Sequence, residues 1–187
     1  MRLAFWTGIA LFVPLAAFAQ NPCAAHPTQP HWRVFADSKY GFCFEYPPDY
    51  RRITPSIGSR RCSRKDGCLL SLEKKAPPSV PPDENDEFKN AAIDLSDLGI
   101  PFDLEPLRNY APTGLQDQTP EPRQVGSETF YYYGPGGGGV TYPDQFFFKV
   151  KGRAFTIDFD GPYTDDKTPA DVTKQIEGKL LASFRHF

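Results

Sequence analysis

The sequence contains 187 residues, and its 21 basic and 23 acidic side chains give a formal net charge of -2 at pH 7. A balance this close to neutral gives no reason to expect nucleic acid as a partner. Hydrophobic residues make up 40% of the chain, but no apolar run after residue 19 is long enough to cross a bilayer. The composition therefore predicts one globular domain without a membrane span.

The N-terminus has the pattern of a bacterial secretion signal. Arg2 precedes an apolar run, residues 3–18, that is too short to span a bilayer comfortably. The run ends in Ala17-Phe18-Ala19, which places small residues at the two positions that a signal peptidase recognises. We therefore expect a periplasmic or secreted protein that divides into a signal peptide (1–19), a Pro-rich leader (20–31) and a single domain (32–187).

Two strands open the predicted domain. Residues 32–35 and 40–46 have the composition of strands and are joined by a turn at 37–39. Four aromatic residues alternate along the second strand and fall on one face: Tyr40, Phe42, Phe44 and Tyr46. This period of two requires a core on the aromatic side.

A further strand is predicted at 68–74, and the segment after it predicts a helix. Asp83 or Asn85 can cap this helix, and acidic residues in its first turn complement the helix dipole. Gly99 and Pro101 end it. Its apolar stripe contains Phe88, Ala91, Ala92, Leu95 and Leu98.

Residues 102–123 contain several prolines, and no helix or strand is predicted for them. Three strands after them predict an antiparallel meander: 125–133, 140–151 and 153–160. A glycine-rich connection at 134–139 and a tight turn at 151–152 separate these strands. The last strand alternates between two sets, inward-facing Phe155, Ile157 and Phe159 and outward-facing Thr156, Asp158 and Asp160.

A closing helix is predicted to start at Thr168-Pro169-Ala170-Asp171. This stretch supplies a capping oxygen, a proline at the first helical position and an acid three residues after the cap. Residues 183–187 are short enough to form a terminal strand or an extended tail. The order of the elements predicts an α+β fold, with an antiparallel sheet covered by helices.

Four cysteines follow the expected signal peptide: Cys23, Cys43, Cys62 and Cys68. In an oxidising compartment this even number predicts two disulfides, with three possible pairings. Local spacing favours Cys62 with Cys68 and, by elimination, Cys23 with Cys43. A metal site is the competing interpretation, but the chain has no Cys-x-x-Cys pair and no histidine near Cys62 or Cys68.

Short motifs stand at both ends of the domain. Trp32 and the stretch 40–50, which reads YGFCFEYPPDY, are similar to the "YGFSFEYP-x-x-W" entrance of the PsbP-like family, with Tyr50 in place of the usual Trp. The stretches 154–157 and 180–185 are similar to its exit. The resemblance implies an antiparallel sheet between helices, an α/β/α sandwich. It also implies an accessory protein without catalysis, because the photosystem subunit that names the family acts by binding a larger complex.

The sequence has no recognisable catalytic motif and implies no cofactor. The glycine run 134–139 lacks the Gly-Lys-Ser/Thr ending of a P-loop, and no Gly-x-Ser-x-Gly is present. The histidines lie in the leader (His26, His31) and next to the C-terminus (His186), which are poor places for a positioned base. Four acids could present oxygens to calcium, although their spacing does not follow the twelve-residue calcium loop: Asp158, Asp160, Asp165 and Asp166.

The best candidate site is a basic loop made of Arg60, Arg61, Arg64 and Lys65. These residues lie in or beside the short loop that the 62–68 disulfide would close, so the loop could engage an anionic partner at a lower ordering cost. The alternative is an ordinary charged surface loop. We expect a non-enzymatic exported binding or accessory domain of the cell envelope or extracellular space, with an unknown protein or an anionic envelope component as partner. A hydrolase or a calcium-binding protein is the alternative.

Overall fold

The computed structural model describes residues 28–54, 62, 67–74, 91–112, 114–134, 144–160 and 170–187, with side chains described from residue 174 onward in the last range. Within these ranges the chain forms ten strands and two α-helices. The strands are β1 (Arg33–Asp37), β2 (Phe42–Tyr46), β3 (Arg51–Arg52), β4 (Cys68–Lys74), β5 (Ala91–Pro101), β6 (Glu121–Val125), β7 (Glu128–Tyr133), β8 (Asp144–Val150), β9 (Arg153–Asp160) and β10 (Arg185–His186). The helices are α1 (Leu104–Leu107), which continues into a 3-10 turn (Arg108–Tyr110), and α2 (Ala170–Ala182).

The strands pair in an antiparallel manner and form two sheets. The smaller sheet has the order β1-β2-β10, and the larger one has the order β3-β4-β5-β9-β8-β7-β6. The predicted antiparallel sheet is therefore confirmed. The predicted α/β/α sandwich is confirmed only in part, because strands make up most of the described chain and α1 has only four residues. No helix in the described ranges is long and apolar enough to cross a membrane.

The aromatic residues of the first hairpin lie in the core, as predicted. Phe42 and Phe44 are fully buried, and Tyr40 and Tyr46 are at most 9% exposed. The ring of Phe42 lies 5.6 Å from that of Phe155 in β9, centroid to centroid. Because aromatic rings bury large apolar areas, such contacts join the smaller sheet to the larger one.

The two sides of the larger sheet differ. The side that packs against the smaller sheet and α2, which we call the aromatic face, carries Leu70, Leu72, Ile93, Leu95, Phe130, Tyr132, Phe146, Phe148, Phe155, Ile157 and Phe159. The opposite side, which we call the second face, has a smaller apolar cluster under α1: Leu107, Ala111, Leu115, Tyr133, Phe147 and Ala154. The inward orientation predicted for Phe155, Ile157 and Phe159 is confirmed.

Residues 91–101 form a strand, so the helix predicted to end near Leu98 is wrong from residue 91 onward. β5 pairs with β4 on one side and with β9 on the other. Ala91, Ile93 and Leu95 share the aromatic face, and this period of two competes with the helical stripe in the same segment. Pairing with two neighbours outweighs the local helix propensity. Three further residues of that prediction lie outside the described residues: Asp83, Asn85 and Phe88.

The predicted meander is confirmed in its pairing and corrected at its start. β7, β8 and β9 pair in order. Val125 does not begin β7; it ends the preceding strand β6, and Gly126 and Ser127 form the turn between them. The sequence analysis did not predict β6 because it contains Pro122, and proline cannot donate a hydrogen bond to a neighbouring strand. The proline is tolerated because β6 is an edge strand. Residues 135–139 of the glycine-rich connection lie outside the described ranges.

The closing helix and a terminal strand are confirmed. α2 contains Ala170, the helical position predicted to follow the proline, although Thr168 and Pro169 themselves lie outside the described residues. Leu180 and Leu181 are buried in the core. After the helix, β10 pairs with β2, so that the C-terminal strand completes the smaller sheet.

Candidate functional site

The predicted basic loop is tethered to the larger sheet at one end. Cys62 and Cys68 form a disulfide with a Cα–Cα distance of 5.2 Å, as predicted. Cys43 is also disulfide-bonded, whereas Cys23 lies outside the described residues, so its pairing stays a prediction. The four basic residues of the loop also lie outside the described residues: Arg60, Arg61, Arg64 and Lys65.

The cystine lies against β5. The Sγ atom of Cys62 is 3.1 Å from the hydroxyl of Ser96 and 3.5 Å from the carbonyl oxygen of Leu95. Since a cystine sulfur carries no proton, the Ser96 hydroxyl is the donor. Gly67, just before β4, has a φ of +77°, and a Cβ there would lie 2.0 Å from the carbonyl oxygen of Asp97. Only glycine fits this close approach, which fixes the end of the loop on the sheet.

A row of polar side chains crosses four strands of the second face. Ser71 of β4 pairs with Asp94 of β5, Asp94 pairs with Asp158 of β9, and Asp158 pairs with Gln145 of β8. Ser71, Asp94 and Gln145 are at most 9% exposed. We call these four residues the polar row.

The polar side of β9, which was predicted to face outward, is not a solvent-exposed surface. Thr156 is only 4% exposed, and Asp158 and Asp160 are half-buried. The alternation itself is as predicted, but both faces of the larger sheet are covered in this region. Alternation identifies two faces and does not say whether the polar one meets water.

The polar row can hold a proton near neutral pH. Burial raises the pKa of Asp158 to about 7, and the neighbouring carboxylates of Asp94 and Asp160 act in the same direction. Hydrogen bonds from Gln145 and Thr156 oppose this shift because they stabilise the charged form. A carboxyl group of this kind is chemically suited to acid–base work.

The described residues do not assemble the predicted alternative sites. They contain no group of three or more His, Cys, Asp and Glu side chains that could hold a metal ion, and Asp165 and Asp166 lie outside them. His186 lies in β10 of the smaller sheet, and its Nε2 lies 3.1 Å from Oε2 of Glu128 in β7 of the larger sheet.

A second polar cluster lies where α2 meets the larger sheet. Lys174 Nζ donates to Asp144 Oδ2 at 2.7 Å and to Tyr132 Oη at 3.4 Å. The hydroxyl of Tyr132 donates to the other oxygen of Asp144. The guanidinium of Arg123 lies over the Tyr132 ring, 3.5 Å from its centroid, and Glu177 completes this edge cluster. Sequence reasoning missed it, because four separate elements contribute and none carries a motif.

A third cluster joins the first hairpin to the larger sheet. Asp97 accepts hydrogen bonds from the hydroxyl of Tyr40, from the backbone N–H of Gly99 at 2.9 Å and from Arg153 at 2.9 Å. Burial alone would raise the pKa of Asp97, but these hydrogen bonds and the Arg153 charge outweigh it and lower the pKa. The geometry is that of a structural ion pair supported by a tyrosine.

The glutamate of the entrance motif anchors the leader. Glu45 is fully buried, and its carboxylate accepts from the backbone N–H groups of Thr28 and Gln29 at 2.7 and 3.0 Å. Its own backbone N–H donates to the hydroxyl of Ser183 at 2.8 Å. One residue thus links the leader, through its side chain, and the end of α2, through its backbone, to β2.

Comparison with solved structures identifies the fold. The solution structure of cyanobacterial PsbP from Synechocystis sp. PCC 6803 matches 83% of this chain and 92% of its own, with a TM-score of 0.50 and 15% sequence identity. The chain therefore has a PsbP-like fold. A crystal structure from Bacteroides thetaiotaomicron has a TM-score of 0.44 and 13% identity, and the match spans 48% of that chain. No protein-family model and no curated protein matches the sequence.

Proposed function

We propose that this chain is an exported, non-enzymatic binding domain that serves as an accessory to an assembly of the cell envelope or extracellular space. The PsbP-like fold supports the accessory role, and the disulfides support an oxidising compartment. The secretion pattern of residues 1–19 supports export to the periplasm or beyond. In the finer form of the proposal, helices cover the sheet on both sides, as in an α/β/α sandwich.

The observation that carries the proposal is the position of the Cys62–Cys68 cystine on β5. Arg61 is covalently next to Cys62, and Arg64 and Lys65 lie between the two cysteines in sequence. A cross-link that closes a short loop removes conformations from the free chain, so less entropy is lost when the loop binds. Three cations in or beside so short a loop favour an anionic partner, either a protein surface or an envelope component.

Removal of the loop charges tests this proposal. The variant with Arg60, Arg61, Arg64 and Lys65 all changed to alanine should lose most of its partner recovery in pull-downs from envelope extract, and any remaining binding should depend less on salt. A control variant removes four exposed charges elsewhere: Arg33, Arg108, Lys149 and Lys179. Equal recovery by the two variants would eliminate the basic-loop site.

Export and pairing are tested together by intact mass spectrometry of the natural protein. Cleavage after Ala19 predicts a mature chain that begins at Gln20, and two disulfides predict a mass that rises by four hydrogens on reduction. A full-length chain with four free thiols would contradict both the proposed export and the proposed disulfides.

The alternative of a hydrolase or calcium-binding protein has one observation in its favour, the raised pKa of Asp158 in the polar row. Calorimetric titration of the protein with calcium chloride tests the calcium form. Binding by the wild-type chain that is lost in Asp158→Asn would favour this alternative, whereas the accessory proposal expects no heat of binding from either.

A further inference from the structure

Glu177 of α2 is a buried carboxylate with poor charge compensation. Only 5% of the residue is exposed, and its Oε2 has no hydrogen-bond partner. Lys174 Nζ lies 3.5 Å from Glu177 Oε2, but the same ammonium is only 2.7 Å from Asp144 Oδ2. Burying a charge that is incompletely paired is costly, so the protonated form of Glu177 suits this position better.

The groups that face Glu177 come from every element of the edge cluster. Lys174 lies on its own helix, Asp144 on β8, Tyr132 on β7 and Arg123 on β6. Burial is the main cause that raises the pKa of Glu177 to about 7, and the charge of Asp144 adds to it, while Lys174 and Arg123 oppose it. The pKa values of Lys174 and Tyr132 are raised above their ordinary values, so neither group changes charge near neutral pH.

From residue 174 onward, α2 makes both apolar and polar contacts with the rest of the fold. Leu180 and Leu181 are buried in the core, and Phe184 just after the helix stacks against Phe42. Near the middle of the helix, Lys174 makes polar contacts to the larger sheet, and the partly buried Ile176 packs against the core. Around Lys174 and Glu177, α2 therefore meets the larger sheet through the edge cluster as well as through apolar packing.

We infer that the edge cluster is a pH-sensitive latch, which holds the part of α2 around Lys174 and Glu177 on the larger sheet while Glu177 is protonated and weakens when Glu177 loses its proton. The direction of this pH dependence follows from the linkage between proton binding by Glu177 and docking of the helix. Because docking raises the pKa of Glu177 from 4.5 to about 7, the docked helix binds the proton more tightly than the undocked one. The contribution to docking is complete below the lower value and is lost as the pH rises to the upper value.

Hydrogen–deuterium exchange of the full chain tests the latch. After correction for the intrinsic pH dependence of exchange, the protection of the α2 amides near residue 177 should fall roughly tenfold or more between about pH 5 and about pH 7. In chains that also carry Asp158→Asn, which removes the other carboxyl group with a pKa of about 7, Glu177→Gln mimics the protonated form and should show no such fall. Glu105→Gln removes an exposed carboxylate from α1 and should keep the wild-type behaviour.

Wild-type protection that does not change with pH would overturn the inference, as would a wild-type pH dependence in Glu177→Gln that persists when Asp158→Asn is also present. A carbon-13 NMR titration of the Glu177 carboxyl in the wild-type chain avoids dependence on a variant that fails to fold. A midpoint at the ordinary value of 4.5 would also overturn it. None of these measurements involves the basic loop, so the latch and the proposed function can fail separately.

Discussion

Both faces of the larger sheet are covered, but one carries mainly apolar side chains and the other carries a row of polar ones. The aromatic face packs phenylalanines and branched aliphatic residues against the smaller sheet and α2. The second face carries the polar row beside a small apolar cluster under α1. The difference shows that the aromatic face supplies most of the hydrophobic stabilisation, whereas the second face holds a carboxyl group, that of Asp158, whose pKa is raised by burial.

The largest predicted effect concerns the aromatic face. Phe184 contacts the rings of Phe42, Phe130 and Phe148 at centroid distances of 4.9 to 5.7 Å. Phe184→Ala should lower the free energy of unfolding by about 3–5 kcal/mol, because it leaves a cavity among aromatic rings. Urea denaturation measures this, and Phe187→Ala, at a residue that is 48% exposed, serves as a control with under about 0.5 kcal/mol. Similar losses in the two variants would contradict the assignment of the core.

The Cys62–Cys68 cystine, which lies beside the second face, should contribute less to the free energy of unfolding than Phe184 does. Replacing Cys62 and Cys68 together by alanine should lower the free energy of unfolding by about 2 kcal/mol, the value expected for a loop this short. Ser96→Ala keeps the cystine and removes only the hydroxyl that contacts it, so a loss under about 1 kcal/mol is expected. If Ser96→Ala costs as much as the double variant, the contact rather than the cross-link stabilises this region.

In the polar row, a substitution is expected to stabilise the protein rather than destabilise it. Asp158 has its pKa raised from 3.8 to about 7, so its contribution to stability is complete below the lower value and is lost as the pH rises to the upper one. Asp158→Asn should match the wild type in acid and exceed it by roughly 2 kcal/mol above neutral pH. Thermal unfolding across this range measures the difference, and Asp117→Asn, at an exposed position, should leave the wild-type profile unchanged. A variant less stable than the wild type above neutral pH would show that the charged form is needed.

The smallest predicted effect concerns the hydrogen bond between Tyr40 and Asp97. Tyr40→Phe keeps the ring, which lies 4.9 Å from the Phe155 ring, and removes only the hydroxyl. A loss of about 1 kcal/mol in urea denaturation is expected, since Arg153 and Gly99 still pair with the carboxylate. A loss as large as that of Phe184→Ala would mean that this polar contact, rather than ring packing, joins the two sheets.

The packing of β2 and of the β9 part of the aromatic face was predictable, because apolar residues repeat there with a period of two and no competing pattern exists. In β5 the same sequence fits a helix and a strand, and only the pairing with β4 and β9 decides between them. The burial of Asp158 could not be predicted, since a polar alternation describes a solvated face equally well. The edge cluster was beyond prediction for another reason: Arg123, Tyr132 and Lys174 meet through tertiary packing alone.

The pairing of β10 with β2 has a consequence for biosynthesis. Arg185 lies opposite Cys43, and His186 lies opposite Phe42, so two segments separated by most of the chain form adjacent strands. Such long-range pairing is slow, because loop closure must precede it. The smaller sheet cannot be completed until residue 186 has left the ribosome, so its last strand pairs only after nearly the whole chain has been synthesised.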